Sequence, residues 1–228
     1  MKKRSQSRML VLARFLGICW ALVAGSALAD TCGFDEEFFT NATVADVEGC
    51  IGSGQSVNSS KDPSQTPLHW AARYSPDSAV ISALLAAGAD LHSLDEYKFT
   101  PLHRAAANPQ PTVISVLLAA GAGRDISKRT YEGITPLHRA ANSSPEPAVI
   151  SMLLAAGADI NSRSDTGWTP LHLAAGNNPN PQIARALIAA GAGVNLSLGE
   201  RGFTLSHIVD RAATNARMID VMDEDGDK

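Results

Sequence analysis

The sequence lacks the features that most often mark an enzyme, a nucleic-acid-binding protein or a membrane protein. Only 5% of its 228 residues are aromatic, and three are cysteine. It contains no G-x-S-x-G nucleophile motif, no H-E-x-x-H zinc motif and no glycine-rich phosphate loop. An apolar run over residues 15–28 is shorter than the about 20 residues that a membrane-spanning helix needs. We therefore expect neither catalysis nor a cofactor.

The first 29 residues have the pattern of a secretory signal peptide. A basic start, Lys2-Lys3-Arg4, is followed by the apolar run and then by Ala27-Leu28-Ala29, whose small residues suit signal peptidase. An uncleaved membrane anchor is the alternative, and the short apolar run disfavours it. The pattern predicts cleavage after Ala29 and export, either to the periplasm or out of the cell, with no stable membrane insertion after cleavage.

Removal of this segment makes the chain strongly acidic. The segment carries five of the 19 basic residues and none of the 23 acidic ones, so the net charge changes from −4 to −9. No run of basic residues remains to neutralise a polyanion, which argues against nucleic acid as a partner. On overall charge, a basic or neutral protein fits better.

Two cysteines, Cys32 and Cys50, remain after cleavage. In an exported chain they are most simply interpreted as one disulfide, because the compartment is oxidising. The bond would close a loop of about 18 residues and contribute about 3 kcal/mol by restricting the unfolded chain. Two free thiols or a pair of metal ligands are the alternatives, and these require a reducing compartment or further ligands.

An internal repeat dominates the rest of the sequence. The motif Thr-Pro-Leu-His begins at four positions and a degenerate copy, Thr-Leu-Ser-His, at a fifth, with spacings of 34, 35, 34 and 35 residues. Threonine followed by proline suits a helix start. Paired alanines follow each complete copy, and a glycine suited to a left-handed helix end closes the next apolar segment. The motifs begin at Thr66, Thr100, Thr135, Thr169 and Thr204, and the glycines are Gly88, Gly121, Gly157 and Gly191.

The pattern T-P-L-H-x-A-A…L-L-x-x-G-A-D resembles the ankyrin repeat family over about residues 34–222. The resemblance implies an all-α repeat solenoid of stacked helix–turn–helix units, with hairpin loops on one side and a concave protein-binding groove. We expect helices at 36–41 and 43–51 in the N-terminal cap. The expected organisation is a signal peptide (1–29), an N-terminal capping repeat (30–62), four ankyrin repeats (63–203), C-terminal capping helices (204–222) and an acidic disordered tail (223–228).

The repeated histidines invite a metal or catalytic interpretation. In the family this histidine hydrogen-bonds within and between repeats. Stacked units also hold equivalent atoms about 10 Å apart, which is too far to converge on one ion. The resemblance therefore implies a structural role, in hydrogen bonding, for His69, His103, His138 and His172. No metal site is expected, and the isolated His92 is assigned no chemistry.

Two departures from the family pattern carry predictions. The turn between the two helices of a unit is long and proline-rich, as in Ser144-Pro145-Glu146-Pro147, which predicts an enlarged rigid loop. The loop over residues 122–134 is two residues longer than its counterpart after Gly88, which predicts a protruding finger.

The resemblance places partner contacts on the hairpin tips and on exposed positions of the first helices. Exposed aromatic residues and arginines are favoured at protein interfaces. For Trp70, Phe99, Ile134 and Trp168, packing against the neighbouring repeat is the alternative. The predicted binding residues are Trp70, Tyr74, Tyr97, Phe99, Arg104, Tyr131, Ile134, Arg139, Trp168 and Phe203, with Arg73 and Asn108 on the same surface.

These patterns predict an exported scaffold that captures a partner protein in its concave groove and on its hairpin tips. A secreted effector or inhibitor of a foreign protein is the alternative. An enzyme with an unrecognised loop site is less favoured. The residues name no partner, and because capped solenoids bury their apolar faces by stacking, we expect a monomer.

Overall fold

The computed structural model describes residues 32–59 and 64–196. In these ranges the chain forms ten α-helices and one 3-10 helix, without a strand. The chain divides into two units, Met1–Cys32 and Gly33–Lys228, and all of these helices belong to the second. The expected all-α repeat solenoid is confirmed. The predicted signal peptide, C-terminal capping helices and acidic tail lie outside the described residues. Within those residues no helix is long and apolar enough to cross a membrane.

The helices alternate between first and second helices of successive units. First helices contact the first helices of the next unit, and second helices contact second helices, so the units stack in chain order. The helices are α1 (Glu36–Asn41), α2 (Val44–Gly52), α3 (Pro67–Tyr74), α4 (Ser78–Ala86), α5 (Pro101–Ala105), α6 (Pro111–Ala119), α7 (Pro136–Ser143), α8 (Pro147–Ala155), α9 (Pro170–Asn177) and α10 (Pro181–Ala189).

The Thr-Pro-Leu-His motif begins each first helix of the four repeats. At the start of α5, the Thr100 side chain accepts a hydrogen bond from the backbone N–H of His103, and Pro101 occupies the first helical position, where no N–H is needed. The leucine of the motif is buried in every repeat, at 0–1% exposure, and the paired alanines are buried beside it. Small alanines let neighbouring first helices approach closely, so the motif defines both the helix start and the stacking face.

Glycines in the left-handed conformation follow the second helices. Gly88, Gly121, Gly157 and Gly191 have φ angles of 89°, 107°, 93° and 93°. At the end of α4, Gly88 and Ala89 donate backbone hydrogen bonds to Leu85 and Leu84. Side chains that carry a Cβ rarely adopt this backbone conformation. The glycine therefore ends each second helix and turns the chain towards the next hairpin.

An aromatic cluster and a disulfide close the N-terminal cap. The rings of Phe34, Phe38 and Phe39 lie 5.0–5.6 Å apart, centroid to centroid, and Phe34 and Phe39 are fully buried. The predicted disulfide between Cys32 and Cys50 is confirmed. Cys50 lies on α2, so the bond fixes the start of the cap to its second helix. The N-terminal unit of the stack is therefore closed by a covalent bond.

The long loop after Gly121 does not form the expected finger. Its additional residues fold into a 3-10 helix, Ala122–Asp125, in which both terminal residues are buried. The hairpin that follows is no longer than its neighbour. Asp125 accepts a hydrogen bond from the Nδ1 of His92, at 2.6 Å, which links two repeats. The finger prediction was wrong, since the insertion is used inside the stack, and His92, to which no chemistry was assigned, forms one of its hydrogen bonds.

Histidine side chains join three of the first helices, α3, α5 and α7, to the next hairpin. The Nε2 atom of the motif histidine contacts a backbone carbonyl oxygen about thirty residues later in the chain. The Nε2–O distances are 2.9 Å for His69 and Phe99, 3.1 Å for His103 and Ile134, and 2.9 Å for His138 and Trp168.

The other ring nitrogen identifies the tautomer. Nδ1 of His103 accepts the backbone N–H of Thr100, at 3.2 Å, so it carries no proton. The proton is therefore on Nε2, which donates to the carbonyl of Ile134. Burial lowers the pKa of His103 to about 4, and burial also lowers the pKa of His69 and His138. The imidazoles are thus neutral, as their hydrogen bonds require.

Buried asparagines form a second connection between repeats. The side-chain amide of Asn178 donates to the backbone oxygens of Ala141 and Ser144, both at 2.9 Å, in the preceding repeat. Asn108 makes the same pair of bonds to its own preceding repeat and is fully buried. The sequence-based placement of Asn108 on the binding surface was therefore wrong. Helix α5 is shorter than the other motif helices, which brings Asn108 to the turn.

The neutral histidines predict a pH-dependent stability. Unfolded histidine titrates near pH 6.5, above the lowered pKa values of the folded state, so the unfolded chain binds more protons below that pH. The free energy of unfolding should be flat above about pH 7 and should fall as the pH decreases from about 6.5 towards 4, with His103 alone removing about 3 kcal/mol. Urea titrations at several pH values measure this. Stability that stays constant or rises between pH 6.5 and 5 would contradict the assignment, and His103→Gln should reduce the slope.

Candidate functional site

Three hairpins precede the first helices and form one continuous row. They span residues 95–99, 130–134 and 164–168, and in each the first N–H donates to the last carbonyl, at 2.8–3.0 Å. Neighbouring hairpins are also bonded to each other: Tyr131 donates its N–H to Tyr97 at 3.3 Å, and Asp165 donates to Glu132 at 3.0 Å. Together with the histidine bonds to their last residues, these contacts hold the row rigidly beside the first helices.

Two tyrosines project from the tips of this row. Tyr97 is 58% exposed and Tyr131 is 63% exposed, the highest values among the large apolar side chains that the structure describes. The Nζ of Lys98 lies 4.4 Å from the centroid of the Tyr131 ring, a cation–π contact between adjacent hairpins. Large aromatic surface is therefore presented to solvent on a fixed backbone.

Lys98 occupies a backbone position that the other two hairpins give to glycine. Its φ angle is 63°, and the equivalent residues are Gly133 (φ 73°) and Gly167 (φ 84°). A residue with a Cβ costs about 1 kcal/mol in this conformation. Strain of this kind is concentrated at functional sites. The side chain of Lys98 is thus placed over Tyr131 at the expense of local stability.

The predicted aromatic residues nearer the first helices are half-buried. The Phe99 ring packs edge-on against His103 at 5.5 Å, and the Trp168 ring packs similarly against His172 at 6.2 Å. Ile134 is equally half-buried. These side chains therefore serve the stack on one side and offer an edge to the groove on the other. Their role in partner binding stays a prediction.

At the N-terminal end of the groove, aromatic and arginine side chains alternate. The rings of Trp70 and Tyr74 are stacked at 5.7 Å, one turn apart on α3. The guanidinium of Arg73 lies 5.4 Å from the Tyr74 ring and donates to the backbone oxygen of Ala107. This part of the surface joins α3 to α5.

Arg104 and Arg139 share the ring of Phe99. Their guanidinium carbons lie 4.6 and 6.0 Å from its centroid. Arg104 also forms an ion pair with the fully buried side chain of Asp95, whose other oxygen accepts the backbone N–H groups of Tyr97 and Phe99. Sequence reasoning identified both arginines and missed Asp95. The available signal was the position of Asp95 at the start of the hairpin, nine residues before Arg104.

The structure brings nine of the ten predicted binding residues to the hairpin row and the first helices. The tenth, Phe203, lies outside the described residues. No group of histidine, cysteine and acidic side chains within residues 32–59 and 64–196 is arranged to hold a metal ion. The arrangement of exposed tyrosines, half-buried aromatics and arginines suits recognition of a protein surface.

Stacked helix pairs with a bonded row of hairpins define a repeat protein of the scaffold class. The family model for ankyrin repeats, in three copies, matches residues 43–130 and 117–198, which is more than half of the chain. The chain therefore belongs to the ankyrin repeat family. No curated protein matches it. Ankyrin repeats are generally protein-interaction scaffolds and are typically non-enzymatic.

The Asp95 network predicts different costs for two equivalent substitutions. Asp95→Ala removes two turn hydrogen bonds and leaves Arg104 without its carboxylate, so it should lower the free energy of unfolding by about 3 kcal/mol. Thr130→Ala, at the same position of the next hairpin, removes only turn hydrogen bonds and should cost about 1 kcal/mol. Urea unfolding at pH 7 measures both. Equal losses would show that the ion pair contributes nothing.

Proposed function

We propose that this chain is an exported protein-binding scaffold, which captures a partner protein on the surface formed by its hairpin tips and first helices. The observation that carries the proposal is the pair of exposed tyrosines, Tyr97 and Tyr131, on hairpins held by hydrogen bonds on both sides. Tyrosines fixed in this way lose little entropy on binding, because the backbone that bears them is already ordered.

The proposed surface has a tip region and a groove region. The tips supply exposed apolar area, and the groove supplies aromatic edges and guanidinium groups, which together make the composition typical of binding hot spots. Arg104 is fixed by Asp95, so its face is presented in one orientation. The proposed contact residues are Trp70, Tyr74, Tyr97, Phe99, Arg104, Tyr131, Ile134, Arg139, Trp168 and Phe203.

Two features support export of the scaffold. The first 29 residues have the charge and hydropathy pattern of a signal peptide. The disulfide between Cys32 and Cys50 belongs to an oxidising compartment such as the periplasm or the cell exterior. The two features are independent, since one lies in the leader and the other in the folded cap. The proposed place of action is therefore outside the cytoplasm.

The capture of a partner tests the binding surface. The bait is the exported chain purified from the periplasm or medium of cells expressing the full sequence. Export predicts an intact mass lacking residues 1–29 and no thiol that reacts with alkylating reagent before reduction. The double variant Tyr97→Ser/Tyr131→Ser should lose at least roughly tenfold in affinity for the captured partner, because central aromatic residues dominate interfaces. Both residues are exposed, so stability should be nearly unchanged.

Leu94→Ser provides a matched control. Leu94 is also exposed, at 49%, and its replacement removes apolar surface outside the hairpin tips. It should leave capture intact. If the double tyrosine variant binds the partner as strongly as the unaltered chain does, the tips are not the binding surface.

A further inference from the structure

Two consecutive units carry an arginine at the same position of the first helix. Arg104 and Arg139 both follow the motif histidine, and each lies nine residues after the first residue of its hairpin. That hairpin residue is Asp95 in one unit and Thr130 in the next. In the third hairpin the residue is Ser164, and the arginine position holds Leu173. The three units therefore differ in whether the chain itself provides a carboxylate for the arginine.

Asp95 and Thr130 perform the same task in the hairpin turn. Asp95 Oδ1 accepts the N–H groups of Tyr97 and Phe99, at 2.9 and 2.8 Å. Thr130 Oγ1 accepts the N–H groups of Glu132 and Ile134, at 3.3 and 3.1 Å. Asp95 has a second oxygen, which binds the guanidinium of Arg104. Thr130 has no second oxygen. Its hairpin therefore keeps the turn hydrogen bonds but has no ion pair equivalent to the one between Asp95 and Arg104.

Arg139 is consequently a half-buried cation without an anion in the described parts of the chain. Its buried Nε atom has no hydrogen-bond partner there. Its guanidinium carbon lies 6.0 Å from the centre of the Phe99 ring, which Arg104 also covers. Burial, followed by the charges of Arg73 and Arg104, lowers the pKa of Arg139. Both of these arginines are cationic, and the carboxylate of Asp95 is already bound to one of them, Arg104.

We propose that Arg139 binds a carboxylate side chain, aspartate or glutamate, on a peptide segment of the partner that lies across the groove beside Phe99. The inference rests on the proposed binding function and specifies the chemistry of its partner. Arginine in a partly desolvated site favours a carboxylate because its fork of N–H donors matches the two oxygens. The Phe99 side chain supplies apolar surface near it, so the segment combines an acidic residue with apolar neighbours.

The local charge differs in sign from that of the chain as a whole. A net charge of −9 favours a basic or neutral partner at long range. At contact distance the groove presents Arg73, Arg104 and Arg139 with one paired carboxylate among them. Contact and long-range steering are separate effects, because charges beyond about 8 Å are screened at physiological salt. A partner whose surface is basic overall, with one acidic residue at the point of contact with Arg139, is consistent with both the long-range and the contact effect.

A phage-displayed library of random 12-residue peptides provides the probe. It is selected against the exported chain and against three variants. Arg139→Gln removes the proposed ligand, and Thr130→Asp supplies an internal carboxylate at the position that Asp95 occupies one repeat earlier. Arg124→Gln removes the same charge from an exposed position of the 3-10 helix, away from the groove. Selected peptides are then synthesised, and their affinities are measured by calorimetry with each acidic residue in turn replaced by its amide.

The inference predicts peptides that share an acidic residue. Replacing that residue by its amide should weaken binding to the unaltered chain by roughly tenfold or more. The same replacement should have little effect on Arg139→Gln or Thr130→Asp. Arg124→Gln should behave like the unaltered chain. Thr130→Asp should melt at the same temperature or higher, since it keeps the turn acceptor and adds an ion pair, so its loss of binding cannot reflect unfolding.

Three results would overturn the inference, and they differ in what they say about the binding function. Peptides that lose affinity for Tyr97→Ser/Tyr131→Ser but show no acidic preference would leave the scaffold function standing and refute the carboxylate. Failure to select any peptide that depends on the tyrosines or on Arg139 would count against both. An acidic preference that persists in Arg139→Gln would also refute the role of this residue.

Discussion

The hydrogen bond from a buried histidine to the next hairpin is the interaction on which the rest of this structure depends. One imidazole connects the start of a first helix to the last residue of a hairpin about thirty residues later in the chain. It can do so only in its neutral Nε2–H form, which burial favours by lowering the pKa of His103 to about 4. The hairpin row, and with it the proposed binding surface, is therefore positioned from inside the stack. The side chains at the tips are free to vary without loss of the scaffold.

The helix starts, the stacking face and the helix ends could be predicted from the sequence because each is a local rule repeated four times. Threonine and proline define the helix start, leucine and alanine the buried face, and glycine the turn. The cap helices were also placed correctly, at 36–41 and close to 44–52. The disulfide followed from export chemistry and two cysteines. Sequence periodicity is sufficient to predict the repeated features, because the same residues recur at the same positions in all four copies.

Other features depended on which residues differ between copies, and these were not predictable from the pattern. Asn108 was assigned to the surface by position, yet a shortened α5 places it in a buried turn. The two additional residues after Gly121 are accommodated in a 3-10 helix, whose Asp125 is hydrogen-bonded to His92. Asp95 was overlooked because its position nine residues before Arg104 does not by itself show that the two side chains are in contact. The same comparison of copies shows why Arg139 has no carboxylate partner within residues 32–59 and 64–196 and why Lys98 is strained, and both belong to the surface where we place function.

Direct observation of the histidine protons tests the central claim, that neutral imidazoles hold the hairpins in place. Long-range proton–nitrogen correlation spectra of the ¹⁵N-labelled exported chain report which ring nitrogen carries the proton. For His69, His103 and His138 the account predicts a protonated Nε2 and an unprotonated Nδ1 at neutral pH. The His103 ring should remain neutral at about pH 5, because its pKa is about 4. Rings that average between the two tautomers, or that carry the proton on Nδ1, would contradict it.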